Sequence, residues 1–545
     1  MAIEYDKSGK LFQIDYQSPF GGIDSTAYAS AINPANFVSM INMFVQDNVI
    51  QPIALELLGG LSVTGHYMGF IPVQSYTSNS ASIGFIVTDT GVWPVVLVGN
   101  TLGLGPMTGY TPTLPGDNSY FHYIVIDSIQ SGAPTIYWTS NGWNEIWTRD
   151  PTSGNITLNT NFVGGGILAL LDDQLLNLGG FSQADGPTPN RISWSAPGQF
   201  GVFQPFDLAT MTGNYAAGFN DLPSISDIIT GFAAIGTVGY LFRNEGITQI
   251  NPTGNGILPF QFNHLWASEL GIGCAYTNTI SQYGSVICFA ADSGIYTLGL
   301  NGLNEIGQQA RSFIYSLLNN VGIVNAQGMF AYGPQGRVLP YILTSPELYY
   351  LLAIPVSGQP WQNILIDVAT GTTYNLGQQV PVTENTLDCQ LAFLATGATK
   401  NPPVGGRIIV PLAIFSETGP GSITPEPTFY RYFNNDTVVG TLVLRKEQLK
   451  FGYVPTITKV GFLASLIDST VAGSIQVSID GGLTFGVFPT IDIAPGVGNP
   501  GNGIIDNVFS DAVVSLQRPQ LAIKLTNVQV VECWYQGTLA DFPLI

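Results

Sequence analysis

The sequence predicts an all-β chain: a β-propeller of about six blades, a C-terminal β-sandwich or jelly-roll domain, and an N-terminal arm. Three observations predict it. Gly (64) and Pro (35) punctuate a chain in which 45% of residues are hydrophobic and 11% aromatic, the signature of many short strands. Glycine turns flanked by apolar runs recur about every 50 residues, the size of a four-stranded blade. The last 145 or so residues alternate apolar and polar side chains, as in Ser474–Ser478 and Ala522–Thr526, which is sandwich patterning.

The arm is read as residues 1–55. Phe20-Gly21-Gly22-Ile23-Asp24 reads as a turn. From Pro34 to Phe44 the apolar residues Phe37, Met40, Ile41 and Phe44 have helical spacing, with Asn33 as the cap. That spacing predicts a short helix, and a second is expected over Ala310 to Leu318.

The propeller is read as residues 56–399. Its turns include Thr90-Gly91-Val92-Trp93, Asn141-Gly142-Trp143, Glu245-Gly246-Ile247 and Ser293-Gly294-Ile295. The register missing between Gly142 and Gly246 falls near Arg191-Ile192-Ser193-Trp194-Ser195. A large sandwich or a string of hairpins is the alternative. The boundary at 399 rests on charge. Residues 11–399 contain no lysine, five arginines and 23 acids, whereas residues 400–545 hold nine basic and 11 acidic residues. Asn401-Pro402-Pro403-Val404-Gly405-Gly406 reads as the linker, and residues 400–545 as the C-terminal domain.

The net charge of −20 excludes a basic nucleic-acid binder, because neutralising phosphate takes clustered Lys and Arg. It leaves open a protein that DNA passes without sticking. No apolar run opens the chain, so no secretory signal is read. The stretch from Ile228 to Phe242 is too short and too Gly-broken to span a bilayer. The four cysteines (274, 288, 389, 533) read as buried free thiols, although Cys274 and Cys288 could face each other across a hairpin.

Catalytic signatures are weak. His66, His122 and His264 show no metal-ligand spacing, and no GxSxG or Walker A loop occurs. The GxGxxG at Gly496–Gly501 is interrupted by Pro500, so it reads as a loop. A sialidase-like site needs an arginine cluster for the substrate carboxylate, and the arginines at 149, 191, 243, 311 and 337 are scattered. Ser478-Ile479-Asp480-Gly481-Gly482-Leu483-Thr484-Phe485 fits an Asp-box. Ser478, Asp480, Gly482, Thr484 and Phe485 are its members and stabilise a β-hairpin, with the Asp accepting local N–H bonds. The sequons at Asn155 and Asn435 read as chance matches, and Arg445–Lys450 as a solvated basic turn. No catalytic residue, metal or cofactor is expected.

Three segments resemble bacteriophage tail proteins. They are the Phe20–Asp24 opening with Ile32-Asn33-Pro34, Asn42 and Gln51-Pro52; the blade signature Arg191-Ile192-Ser193-Trp194-Ser195; and Asp292-Ser293-Gly294-Ile295-Tyr296 with Ile306-Gly307. The place of a further Trp after the blade signature is taken by Phe200, Phe203 or Phe206. The family is the podovirus-type tail nozzle, or packaged-DNA stabilisation, protein. The resemblance implies a non-enzymatic virion subunit assembled in the host cytoplasm. It implies a homo-oligomeric ring, usually of six, in contact with portal or adaptor proteins and with tail fibre or needle proteins. Genomic DNA is retained and then conducted without specific binding. A lysine-free acidic wall fits that role because it repels phosphate, although acidity also simply keeps a surface soluble. The rival readings are a receptor- or glycan-binding virion protein, with Trp138, Trp143 and Trp147 stacking on sugar or packing in the core, and a polysaccharide-degrading propeller enzyme.

Overall fold

The computed structural model describes the chain except residues 1, 7–9, 18–19, 26–35, 47–48, 53, 74–81, 99–100, 113–120, 127–134, 141–144, 160–162, 165, 183–185, 204–215, 223–226, 257, 267–271, 320–326, 333–347, 357–358, 378–387, 397–407, 417–426, 435–438, 445–452, 496–505, 516–518 and 542–545. The Asn33 cap, Gly142 and Trp143, the 401–406 linker, Gly496–Gly501, Arg445–Lys450, Phe206, Arg337 and the Asn435 sequon lie outside the described residues.

The fold class is as expected, with almost all regular structure in antiparallel sheets. Seven of these sheets are blades among the described residues, one more than the six expected. Their first strands are Tyr67–Pro72, Tyr123–Ile126, Ile167–Leu171, Ile229–Ile235, Ser281–Tyr283, Gln327–Tyr332 and Asp388–Thr396. From blade 2 onward each first strand touches the next, and that of blade 7 returns to blade 1. Blades 1 and 2 share a core of Met68, Val87, Tyr110 and Trp138. The ring is therefore closed.

The recurring glycines mark one topological position, the turn into the third strand. Gly91 opens the third strand of blade 1, Gly246 precedes that of blade 4 and Gly294 opens that of blade 5. The missing register, Arg191–Trp194, is the third strand of blade 3.

Two boundaries are corrected. The break near residue 400 falls between two strands of blade 7, Asp388–Thr396 and Ile408–Ser416. That blade is completed by Pro427–Asn434 and, as its outer strand, Ala54–Gly60 from the other end of the chain. Ring closure by a distant strand holds the first and last blades together, so the propeller runs to 434. The residues before 55 are not a separate arm either. Leu11–Gln17 pairs with Val528–Asp541 from Leu11↔Thr538 to Gln17↔Glu532, and Phe37–Ile41 pairs with Val439–Leu444. Both chain ends thus build one two-sheet sandwich, and the propeller is inserted within it. Its side chains include Ile14, Tyr16, Met40, Phe462, Ile475, Ile523 and Tyr535, all 2% exposed or less.

The expected helix over Pro34 to Phe44 is two strands, Phe37–Ile41 and Met43–Gln46. Asn42 between them is left-handed, with φ 54°. This shifts the phase of the pleat, so Met40, Met43 and Phe44 are all fully buried. Two period-2 strands joined by such a residue imitate the 3-4-3 spacing of a helix. The second helix is present as α1, Arg311–Asn319.

The Phe20–Asp24 segment is not a turn. It runs extended beside the outer strand of blade 6, with Ile23 N donating to Thr373 O (2.8 Å) and Asp24 N to Phe37 O (2.9 Å). Gly22 is required there, because a Cβ would sit 2.3 Å from Thr373 O. Phe44 packs edge-on against Tyr349 and Tyr374 of blade 6, so sandwich and propeller share one core. Cys274, Cys288 and Cys533 are buried free thiols, and burial pushes the Cys274 thiol up to about 11. No helix among the described residues is long and apolar enough to cross a membrane.

Candidate functional site

The first strands decide what faces the propeller axis. Across all seven, the only charged residue is Asp388. Among the described residues the inner strands of one propeller therefore do not form an acidic wall. Other acids occupy turns, such as Asp89, Asp172-Asp173, Glu245 and Asp292, or later strands of the blades, such as Glu145, Asp221 and Glu305.

The arginines are spent within their own blade or against the neighbouring one. Arg191 on the third strand of blade 3 grips Asp221 bidentately, with Nε to Oδ1 at 2.7 Å and Nη2 to Oδ2 at 2.9 Å. Its guanidinium lies 4.1 Å from the Phe219 ring. Arg243 Nη1 meets Asp227 Oδ2 at 2.6 Å, with both side chains under 8% exposed. Arg311 Nε meets Glu305 Oε1 at 2.9 Å, and Arg149 lies 4.6 Å over Phe85. Four different blades or connectors hold these four, so the described arginines form no carboxylate clamp.

The rest of the blade signature is packing. Trp194 is 6% exposed and meets Phe260 edge-on at 5.6 Å. Ser195 is fully buried, its Oγ accepting from Leu175 N (2.9 Å) and donating to Ala196 O (3.1 Å). Phe203 is buried, and Phe200 lies edge-on to Tyr137. Ile295 and Ile306 of the third resembling segment are cross-strand partners in blade 5.

The Asp-box lies between Gly473–Ser478 and Ile491–Ile493, which pair antiparallel. Ser478 Oγ donates to Asp480 and accepts from Gly482 N (3.0 Å). Asp480 accepts from Thr484 N (3.0 Å) and from the Thr484 hydroxyl. Gly481 and Gly482 are left-handed, with φ of 78° and 90°. Partial burial opposes ionisation of Asp480, but the bonds from Ser478, Thr484 and Leu483 outweigh it and hold the carboxyl below its usual value. Phe485 is half-buried, with the Lys524 ammonium 6.0 Å from its ring.

The histidines lie in separate blades. His66 N donates to Asp89 Oδ1 (2.7 Å), and His264 Nδ1 shares a hydrogen bond with Thr248 Oγ1 (2.9 Å). His122 is half-buried just before the first strand of blade 2, and its desolvation there lowers its pKa to about 4. An unfolded chain takes up this proton near pH 6.5, whereas the folded one resists until about 4. Stability is therefore full above pH 6.5 and falls as the pH drops towards 4, by at most about 1.4 kcal/mol per pH unit. Urea titrations at pH 7 and pH 5 are expected to show this loss, and His122→Gln to reduce it.

Among the described residues no group of three His, Cys, Asp or Glu side chains is placed to hold a metal ion. Trp138 is fully buried and Trp147 is 6% exposed, both packed on Tyr110. Neither is available to stack on a sugar. Sequence reasoning missed the Arg243–Asp227 pair, whose one signal is an arginine ending an otherwise apolar strand.

The chain matches no protein-family model and no curated protein. Among solved structures it is similar to a chain of the Saccharomyces cerevisiae complex of a Dbp5 variant with Nup159, a Gle1 variant, IP6 and ADP, at 11% identity and TM-score 0.37 over 70% of this chain and 96% of that one. It is similar to Trypanosoma rangeli sialidase with the inhibitor DANA, at 9% and 0.29 over 79% and 93%. It is also similar to a Bacillus subtilis glycoside hydrolase family 43 arabinoxylan arabinofuranohydrolase, at 8% and 0.23 over 92% and 95%. Two of these are hydrolases, but overlaps this loose assign no activity. The propeller rests on its own seven sheets.

Proposed function

We propose that the chain is a non-enzymatic structural subunit of a bacteriophage tail, of the nozzle kind. Copies assemble as a ring, six favoured, below the portal or adaptor. The ring retains and then conducts the genome, and tail fibre or needle proteins are its further neighbours. The observation that supports this most is how the charge is disposed. Residues 53–438 hold 23 acids and eight basic residues, and Arg191, Arg243 and Arg311 are each already paired with a carboxylate. The residual field is negative and repels phosphate. The first strands carry only one acid, Asp388, so the conduit of this reading lies between copies rather than through one propeller.

Native gel shift with duplex DNA tests the electrostatic part. No retention is expected even at 50 mM salt, where a phosphate-neutralising protein binds far more tightly than at 200 mM. Retention that weakens steeply with added salt would contradict the reading.

A further inference from the structure

The outer face of the sandwich sheet built on Val528–Asp541 carries a tryptophan among polar side chains. Leu11–Gln17 and Tyr453–Leu466 flank that strand, and the register puts Asp15, Trp534 and Gly461 in one row. Gln13, Gln536 and Lys459 form the next row, and Glu532 lies two residues before Trp534 on the same face. The alternate residues Ile14, Cys533, Tyr535 and Phe462 are buried in the core. Gln13, Asp15, Glu532, Trp534 and Gln536 therefore point away from the core, and each is partly exposed.

The indole lies directly over the Gly461 backbone, where a Cβ would come within 2.2 Å of Trp534 Cζ2. A glycine inside a strand marks such a close approach. Beside the ring the polar groups are held in sequence. Gln536 Nε2 donates to Gln13 Oε1, and Gln13 Nε2 donates to Asp15 Oδ1 (2.7 Å). The Lys459 ammonium stands 5.7 Å from the ring centroid.

A neutral saccharide fits this arrangement. A pyranose offers a C–H face to an indole and a rim of hydroxyls that both donate and accept. Amides and carboxylates set around one aromatic ring match that rim. Charge narrows the class further. The described side chains of these rows include Asp15, Glu532 and, opposite Gln13 on the edge strand, Glu4, against Lys459 alone. Phosphate, sulfate and uronate groups are repelled by that excess. A single aromatic also makes no cage for an alkylammonium ion.

We propose that this face binds a neutral glycan chain, with one sugar stacked on Trp534 and its hydroxyls held by Gln13, Asp15 and Gln536. The site goes beyond the ring reading and does not depend on it. One stacking residue on an open sheet face gives weak binding, with a Kd on the order of 1 mM per copy. Several copies in one assembly add avidity.

Affinity electrophoresis through gels containing dextran, galactomannan, xyloglucan or laminarin tests the site, with heparin as the anionic control. At least one neutral polymer is expected to retard the wild type, and heparin is not. Trp534→Ala should weaken the retardation about tenfold, and Gln13→Ala should weaken it less. Gln13 lies outside the core, so Gln13→Ala should unfold in urea like the wild type and serves if Trp534→Ala misfolds. Unchanged migration in all four neutral polymers would overturn the proposal. So would retardation that both variants keep in full, or that heparin produces more strongly. A monomer that binds glycan, or a ring that does not, separates this site from the ring reading.

Discussion

Deleting residues 1–30 is expected to unfold the sandwich rather than to leave a folded monomer that has merely lost an assembly arm. The deletion removes Phe12, Ile14, Tyr16, Phe20 and Ile23, all 8% exposed or less. It also strips the ladder from one side of Val528–Asp541. At about 1.5–3 kcal/mol per buried side chain, the loss is comparable to the whole stability of a typical domain, about 5–15 kcal/mol. The blade-closing strand Ala54–Gly60 stays in place. Limited proteolysis should therefore consume the segment after residue 438 well before the propeller. Removal of residues 1–10 alone should be mild, since it takes chiefly the edge strand Ala2–Tyr5, with Tyr5 42% exposed. A 1–30 deletion that melts like wild type would contradict the insertion of the propeller within one sandwich.

The second large effect is at Arg243. Its guanidinium neutralises Asp227 where three segments of blades 4 and 5 converge. Asp227 Oδ1 also accepts Glu245 N (2.9 Å), and Arg243 O accepts Cys274 N (2.8 Å). The blade link passes so close that a Cβ on Gly273 would lie 2.1 Å from Arg243 O. Arg243→Leu leaves a buried carboxylate without its partner and should cost about 3–5 kcal/mol. Adding Asp227→Leu should recover much of that, because replacing both members of a buried pair by apolar groups is often near neutral. Chemical denaturation of the two single variants and the double variant measures this. Additive losses would show that the two side chains act separately.

The sequence made the propeller legible because its signal is local. Gly91, Gly246 and Gly294 each stand at the turn into a third strand, and Arg191–Trp194 fills the same place in blade 3. Blade 7 was not legible, because it joins Pro427–Asn434 to Ala54–Gly60 and no neighbouring residue reports a pairing that distant. The same holds for Leu11–Gln17 on Val528–Asp541. Charge misled at residue 400, since composition follows surface and not topology. Asn42 misled locally, as one left-handed residue gave two strands a helical spacing. The Asp-box motif gave its own hydrogen bonds, but not the 85% exposure of Leu483 at its tip, which depends on what the fold places around it in three dimensions. The role of Arg191 in the blade is likewise visible only once Asp221 and Phe219 are placed opposite it.

The mass and projected shape of the purified assembly, by native mass spectrometry and class-averaged electron microscopy, test the central claim most directly. The account predicts a closed ring of about six copies around an open centre, formed alone or on portal protein. A closed trimer with no axial opening would contradict it.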